Sequence, residues 1–195
     1  AFGTRLVGRE REVHALLSAF ERCCAGERAL VLVRGHAGVG KTALIGQLVR
    51  PIVRQRGHFG AGKFDQVARG VPFGALIQAF QGLVRQLLGE SEAQLATWRE
   101  RLEAALGANA GVLTEAVREI EFIIGAQPPV PALDGTEALN RFRRMLERFV
   151  AALAPPGQPL VLFLDDLQWA DAATLALLEP LVTSPEIGGL LLLVA

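Results

Sequence analysis

A glycine-rich run ending in a lysine and a threonine constrains the fold of this chain more than any other feature. Residues 35–42 read GHAGVGKT and fit the pattern G-x-x-x-x-G-K-[ST]. A short apolar run precedes them at 29–33, and apolar residues recur at helical spacing from Lys41 onward. A glycine-rich turn between a buried strand and a helix can surround phosphate oxygens with backbone N–H groups. The sequence therefore predicts a phosphate-binding loop in an α/β fold.

The residues of this loop have different expected roles. The Lys41 ammonium should bridge the β- and γ-phosphates and act as a catalytic group, and the Thr42 hydroxyl should bind Mg²⁺. The residues expected to bind the nucleotide run through the loop into the helix: Gly35, His36, Ala37, Gly38, Val39, Gly40, Lys41, Thr42 and Ala43. The predicted cofactors are therefore ATP and Mg²⁺.

Two adjacent acids follow the strongest strand signal of the chain. The apolar residues 160–164 lead directly into Asp165 and Asp166. Two charges at the end of a buried strand are unfavourable unless a counterion pairs with them, and Mg²⁺ can do so. We expect Asp165 to bind the metal and Asp166 to orient or deprotonate an attacking water. The alternative interpretation is a pair of helix-capping residues in a turn.

The remaining pattern indicates one domain over residues 1–195 with a helix-rich insertion. Further strands are predicted at 58–64 and at the apolar run from Leu190, and residues 75–153 are helical in pattern. This predicts a P-loop NTPase fold, a parallel α/β sheet with helices on both faces and helices inserted between strands 2 and 3. The helical expectations include a Ser91–Gln94 capping box, a helix marked by Leu113, Val117, Ile120 and Ile124, a helix from Thr136 that buries Leu139, and a cap at Asp171.

Composition limits the function classes. Twenty acidic residues balance twenty basic ones, so the chain lacks the positive field of a nonspecific nucleic-acid binder. Apolar runs are shorter than the roughly 20 residues of a membrane span, and no export signal is visible, so we expect a cytoplasmic protein with no membrane partner. The chain starts with Ala1 and its only methionine is Met145, which suggests a part of a larger protein.

Three ordered motifs resemble the AAA-type ATPase domains of the STAND signalling class. They are residues 7–10 (VGRE), the phosphate loop, and residues 162–171 (LFLDDLQWAD). Residues 63–66 (KFDQ), 127–131 (QPPVP) and 140–142 (NRF) are similar to the ATPase module of large bacterial multi-sensor kinases, which join it to a serine/threonine kinase domain and a sensor histidine kinase. The resemblance implies Val7 and Gly8 near the adenine, a switch controlled by bound ATP or ADP, and kinase or sensor domains as partners.

The resemblance also leaves alternatives open. The class places a γ-phosphate-sensing residue after the strand at Leu190, where this chain stops, so the domain is expected to be C-terminally truncated. Without a fifth strand, the strand at 29–33 would be an exposed apolar edge. A nucleotide-bound scaffold that does not hydrolyse ATP remains possible, because Asp166 replaces a longer Glu. A GTPase lacks support because no Asn-Lys-x-Asp element is present, and the neutral net charge argues against a DNA-loading ATPase of the origin-recognition type.

Overall fold

A computed structural model describes residues 8–36, 38–65, 73–155 and 157–195. One or more helices separate successive strands along the chain, in an α/β arrangement. In chain order the elements are α1 (Glu10–Cys24), β1 (Ala29–Leu32), α2 (Lys41–Ile45), α3 (Val49–Arg54), β2 (His58–Lys63), α4 (Gly74–Leu88), α5 (Glu92–Leu106), α6 (Gly111–Ala116), α7 (Glu121–Ile124), α8 (Gly135–Leu153), β3 (Leu160–Asp165), α9 (Ala172–Thr183) and β4 (Leu190–Val194).

The described strands form one parallel sheet in the order β1-β4-β3-β2. A parallel arrangement requires a crossover between successive strands, and helices supply each crossover here. Strand β1 lies at one edge, and its Leu30 and Leu32 side chains are 55% and 48% exposed. The position of β1 agrees with the expected exposed apolar edge.

The sheet separates two hydrophobic cores, and β3 contributes alternate side chains to each. Leu160, Leu162 and Leu164 pack in the core formed with α4 to α9, whereas Val161 and Phe163 pack in the core formed with α1 to α3. Alternation of side chains along a strand places successive residues on opposite faces of the sheet. The predicted parallel sheet with helices on both faces is confirmed.

Helices α4 to α8 form the insertion between β2 and β3. The first of them, α4, packs very closely on β2, because β2 contains two glycines. A Cβ at Gly62 would lie 1.7 Å from the carbonyl oxygen of Ala75, and a Cβ at Gly60 would lie 2.8 Å from that of Ala79. The absent side chains therefore allow main chain to approach main chain. Within the described parts of the chain, no helix is both long and apolar enough to span a bilayer.

Two helical predictions need correction. The single helix predicted through Val117 is instead α6 and α7 joined by a 3₁₀ turn at Arg118–Ile120, because Val117 leaves the helical conformation at φ −126° and ψ 82°. Leu139 is 39% exposed rather than buried. Its exposure follows from its place on α8, whose fully buried residues begin at Met145. The predicted Ser91–Gln94 capping box and the cap at Asp171 are both present.

Candidate functional site

The carboxyl ends of the strands carry the residues that the sequence singled out. The chain leaves β1 at Leu32 and reaches Gly35 three residues later, and β3 ends at Asp165. Strand β2 ends at Lys63, which pairs in register with Asp165. Because the strands are parallel, their carboxyl ends share one edge of the sheet, the usual position of ligand sites in such folds. The structure thus brings the loop and the acid pair to the same edge.

The loop folds into a tight turn that its own lysine crosses. Gly38 and Gly40 have φ values of 79° and 89°, a left-handed conformation that glycine adopts without a steric penalty. The Lys41 Nζ donates a hydrogen bond to the carbonyl oxygen of Gly35 at 3.2 Å. The ammonium therefore lies across the turn, close to where the backbone would surround an anion.

Most of the predicted nucleotide-binding residues are open to solvent. Gly40 and Lys41 are half-buried, and Gly40 offers no side chain to cap the start of α2. Two predicted residues, Val7 and Ala37, lie outside the described residues. The exposed members are Gly8, Gly35, His36, Gly38, Val39, Thr42 and Ala43. A ligand can therefore approach the turn from solvent.

The acid pair lies at a sharp turn directly after β3. Asp166 adopts φ 60° and ψ 44°, a left-handed conformation uncommon for a residue with a side chain. The N–H of Asp166 donates to Asp165 Oδ1 at 2.9 Å. The turn takes the chain out of the strand and into a 3₁₀ segment, Leu167–Trp169. The two consecutive carboxylates therefore belong to different local conformations.

Asp166 is surrounded by groups that favour its ionised form. Gln168 Nε2 donates to its Oδ1 at 3.1 Å, and Lys63 Nζ lies 3.2 Å from its Oδ2. The hydrogen bonds from Gln168 and Lys63, with the charges of Lys63 and Lys41, lower the pKa of Asp166 below its ordinary value. Asp166 is therefore paired with a cation from the neighbouring strand β2.

Lys63 is a site residue absent from the sequence prediction. Its ammonium is largely exposed, and the hydrogen bond and charge of Asp166 raise its pKa. The available signal was its position next to the end of the predicted strand 58–64. To use that signal one must know that β2 pairs with β3, and the sheet order follows from packing across many residues.

A cavity of about 620 Å³ adjoins the loop between α1 and β1. Its walls include Gly8 and Arg9 from the start of the described chain and Val39 and Lys41 from the loop. Gly8 is one of the two residues that the resemblance places near the adenine. The cavity therefore borders both Gly8 and the loop.

Comparison with known proteins identifies the family. The family profile described as the AAA ATPase domain matches residues 5–194. The chain belongs to the AAA ATPase domain family. It is also 36% identical over 179 residues to hybrid signal transduction histidine kinase G of Dictyostelium discoideum. That match covers 92% of this chain but 5% of the kinase, so the chain spans a small part of its relative's length.

These findings confirm the predicted relation to AAA-type ATPase modules of signalling proteins. They also agree with the parallel α/β sheet on which the loop and the acid pair are placed. The family match concerns the domain as a whole. The roles of individual loop and acid residues remain predictions.

The donor groups of this AAA domain fit a Mg²⁺-nucleotide. Mg²⁺ prefers oxygen ligands and is usually held by one or two carboxylates together with phosphates and waters. The Thr42 hydroxyl and the Asp165 carboxylate supply such oxygens at the start of α2 and the end of β3. Within the described residues, no group of three or more His, Cys, Asp or Glu side chains forms a metal cage. The Thr42 hydroxyl and the Asp165 carboxylate are oxygen donors of the kind found at such shared cations.

The segment after the acid pair connects the AAA domain's site to its inserted helices. Asp171 caps α9 by accepting from the N–H of Thr174 at 2.7 Å and from its hydroxyl at 2.5 Å. The Thr174 hydroxyl oxygen in turn accepts from the N–H of Phe73 at 3.2 Å. The Phe73 ring stacks on Phe142 of α8 with centroids 5.2 Å apart. A continuous set of contacts therefore runs from Asp171, in the segment after the acids, to Phe73 at the start of α4 and to α8.

Proposed function

We propose that this AAA domain binds ATP together with Mg²⁺ and acts as a nucleotide-dependent switch in a larger signalling protein. The observation that carries the proposal is the shared edge of the sheet, which carries both the glycine turn that Lys41 crosses and the acid pair at the end of β3. A cationic loop beside an acid pair is the arrangement that a triphosphate and its divalent cation require.

Each group has a proposed role in binding. Backbone N–H groups of residues 35–43 surround the phosphate oxygens, and Lys41 neutralises the β- and γ-phosphates. Thr42 and Asp165 hold the cation, which when bound reduces the charge on the phosphate oxygens. Val7 and Gly8 contact the adenine, and Gly8 lies in the wall of the cavity that adjoins the loop.

Hydrolysis depends on Asp166. We assign this carboxylate the role of orienting the attacking water for cleavage of the β–γ bond. A carboxylate with a lowered pKa, paired with Lys63, is however a weak proton acceptor. This pairing supports a second candidate function, a nucleotide-loaded scaffold that does not turn over. The two candidates share the same binding site and differ in the release of phosphate.

The switch role draws on the relative and on the contacts beyond the acids. The similar protein from Dictyostelium discoideum is a hybrid signal transduction histidine kinase. In this chain, Thr174 links the segment after the acids to Phe73 at the start of α4. We propose that other domains of a larger signalling protein respond to changes passed through this link. Hydrogen exchange at the start of α4 should then differ between the ATP- and ADP-bound chain, and identical exchange would contradict the switch.

A titration with a fluorescent ATP analogue in Mg²⁺ tests the binding proposal. Lys41→Ala should weaken binding by about tenfold or more, since a charged contact to phosphate is lost. Arg54→Ala is the matched control, because Arg54 is an exposed cation at the end of α3, on another element. It should bind as wild type does. Equal binding by the Lys41→Ala variant and wild type would refute the assignment of the loop.

Phosphate release separates the hydrolase from the scaffold. Wild type should release phosphate from ATP, and Asp166→Asn should release much less while retaining nucleotide binding. If the wild-type chain binds ATP but releases no phosphate, the scaffold proposal is favoured over the hydrolase.

A further inference from the structure

We propose that Arg9 is a positioning residue for the nucleotide phosphates, because it holds the loop in the conformation that binds them. The inference rests on the proposed function and extends it to a residue outside the loop. The Arg9 Nη2 donates a hydrogen bond to the carbonyl oxygen of Val39, 30 positions later in the chain. Its Nη1 lies 3.9 Å from the point where a Cβ on Gly40 would stand.

The guanidinium is presented from a fixed element. Arg9 is the residue before α1, and its carbonyl oxygen accepts from the N–H of Val13 at 3.0 Å in the first helical turn. Helix α1 is anchored by Leu16 and Phe20, each 2% exposed in the core between the sheet and α1 to α3. The donor therefore stands on a packed helix while its acceptor belongs to a glycine-rich loop.

The planarity of the peptide bond gives this contact its effect. The carbonyl of Val39 and the N–H of Gly40 belong to one trans peptide and point in opposite directions. An arginine that holds the carbonyl on its side therefore directs the Gly40 N–H to the other side. Gly38 and Gly40 both have positive φ, and a glycine backbone can adopt many other conformations as well. This part of the loop therefore needs an external restraint.

Neutral variants separate positioning from simple charge attraction. Arg11 lies two residues further along, on α1, and is exposed, whereas Arg9 is half-buried. Arg9→Gln and Arg11→Gln each remove one positive charge. Because solvent screens exposed charges, the loss of charge alone should have a small effect on the binding of a distant anion. Only the first variant loses the bond to Val39. Arg9→Lys retains the charge and one donor group, and it tests how far an ammonium can replace the guanidinium.

The experiment measures the binding of a fluorescent ADP analogue to the whole 195-residue chain. We expect Arg9→Gln to raise the dissociation constant about fivefold to tenfold, the loss of one charged hydrogen bond that preorganises the site. The dissociation constant of Arg11→Gln should stay within about twofold of that of wild type. The dissociation constant of Arg9→Lys should lie between those of wild type and Arg9→Gln. The thermal midpoint without ligand should change little, because the bond that Arg9→Gln removes lies at the surface.

Amide hydrogen exchange in the ligand-free chain provides the second readout. Residues 38–42 should exchange faster in Arg9→Gln than in Arg11→Gln, since a role limited to contact with bound phosphate would leave the free loop unaltered. Equal exchange, or equal nucleotide affinities of the two glutamine variants, would overturn the positioning role. If wild type itself fails to bind while Lys41→Ala is indistinguishable from it, the proposed function falls, and the role of Arg9 falls with it.

Discussion

Substitution of Gly62 by alanine provides a sharp test of how the inserted helices meet the sheet. The new Cβ would lie 1.7 Å from the carbonyl oxygen of Ala75 and 2.6 Å from its carbonyl carbon, well below the 3.0 Å that real Cβ contacts respect. The obstacle is main chain, so a rotamer change cannot relieve it. Either α4 retreats from β2 by more than about 1 Å or β2 bends away.

The energetic consequence follows from the packing of α4. Overpacking of a dense core costs typically about 1–3 kcal/mol, and a retreat of α4 also loosens the contacts of its buried Leu76, Phe80 and Leu83. We expect the free energy of unfolding to fall by about 3 kcal/mol. For a chain of this size that loss corresponds to a thermal midpoint lower by roughly 6–12 °C, measurable by circular dichroism.

Gly82, which lies on α4, supplies the control. A Cβ on Gly82 meets no atom within 4 Å, and alanine is a better helix former than glycine by up to about 1 kcal/mol. Gly82→Ala should therefore leave the midpoint unchanged or raise it slightly. If Gly62→Ala unfolded within about 2 °C of wild type, the close approach of α4 to β2 would be wrong.

Two further predictions concern titrating groups. Lys63→Met should raise the pKa of Asp166, because the carboxylate keeps its hydrogen bond from Gln168 but loses the hydrogen bond and charge of Lys63. Carbon-13 NMR of the Asp166 carboxyl group should show titration at higher pH in the variant. An unchanged titration would contradict the pairing. Burial lowers the pKa of His58 below its ordinary value of 6.5, so the unfolded chain takes up a proton before the folded chain does, and stability should decrease as pH falls below 6.5. Urea unfolding at pH 7 and at pH 5.5 should show this loss in wild type and a smaller one in His58→Phe; equal losses would assign the effect to other groups.

The sequence was sufficient to predict the features that depend on local pattern. The glycine spacing before Lys41 and the apolar run before Asp165 each predict a strand end with its following turn, and parallel strands bring such ends to one edge. The Ser91 capping box and the Asp171 cap likewise depend on neighbours three residues away. Local signals of this kind need no knowledge of the sheet order.

Features set by distant contacts could not be predicted in the same way. Val117 has the spacing of a helical core residue, yet the backbone there leaves the helix while its side chain remains buried. Leu139 fits the apolar stripe of α8 but lies on the part of the helix before its fully buried residues begin. In both cases helical spacing indicated an apolar face, and the surrounding elements decided how much of that face is covered.

Lys63 contacts both an inserted helix and the acid pair. Its N–H donates to the Oε1 of Gln78 on α4 at 2.8 Å, while its ammonium pairs with Asp166. Because Gly62 permits α4 to lie directly on β2, one residue contacts both the inserted helices and the carboxylate proposed to orient water. We expect a displacement of α4 to move Lys63 as well and to weaken its pairing with Asp166. The inserted helices and Asp166 thus share one contact residue, Lys63.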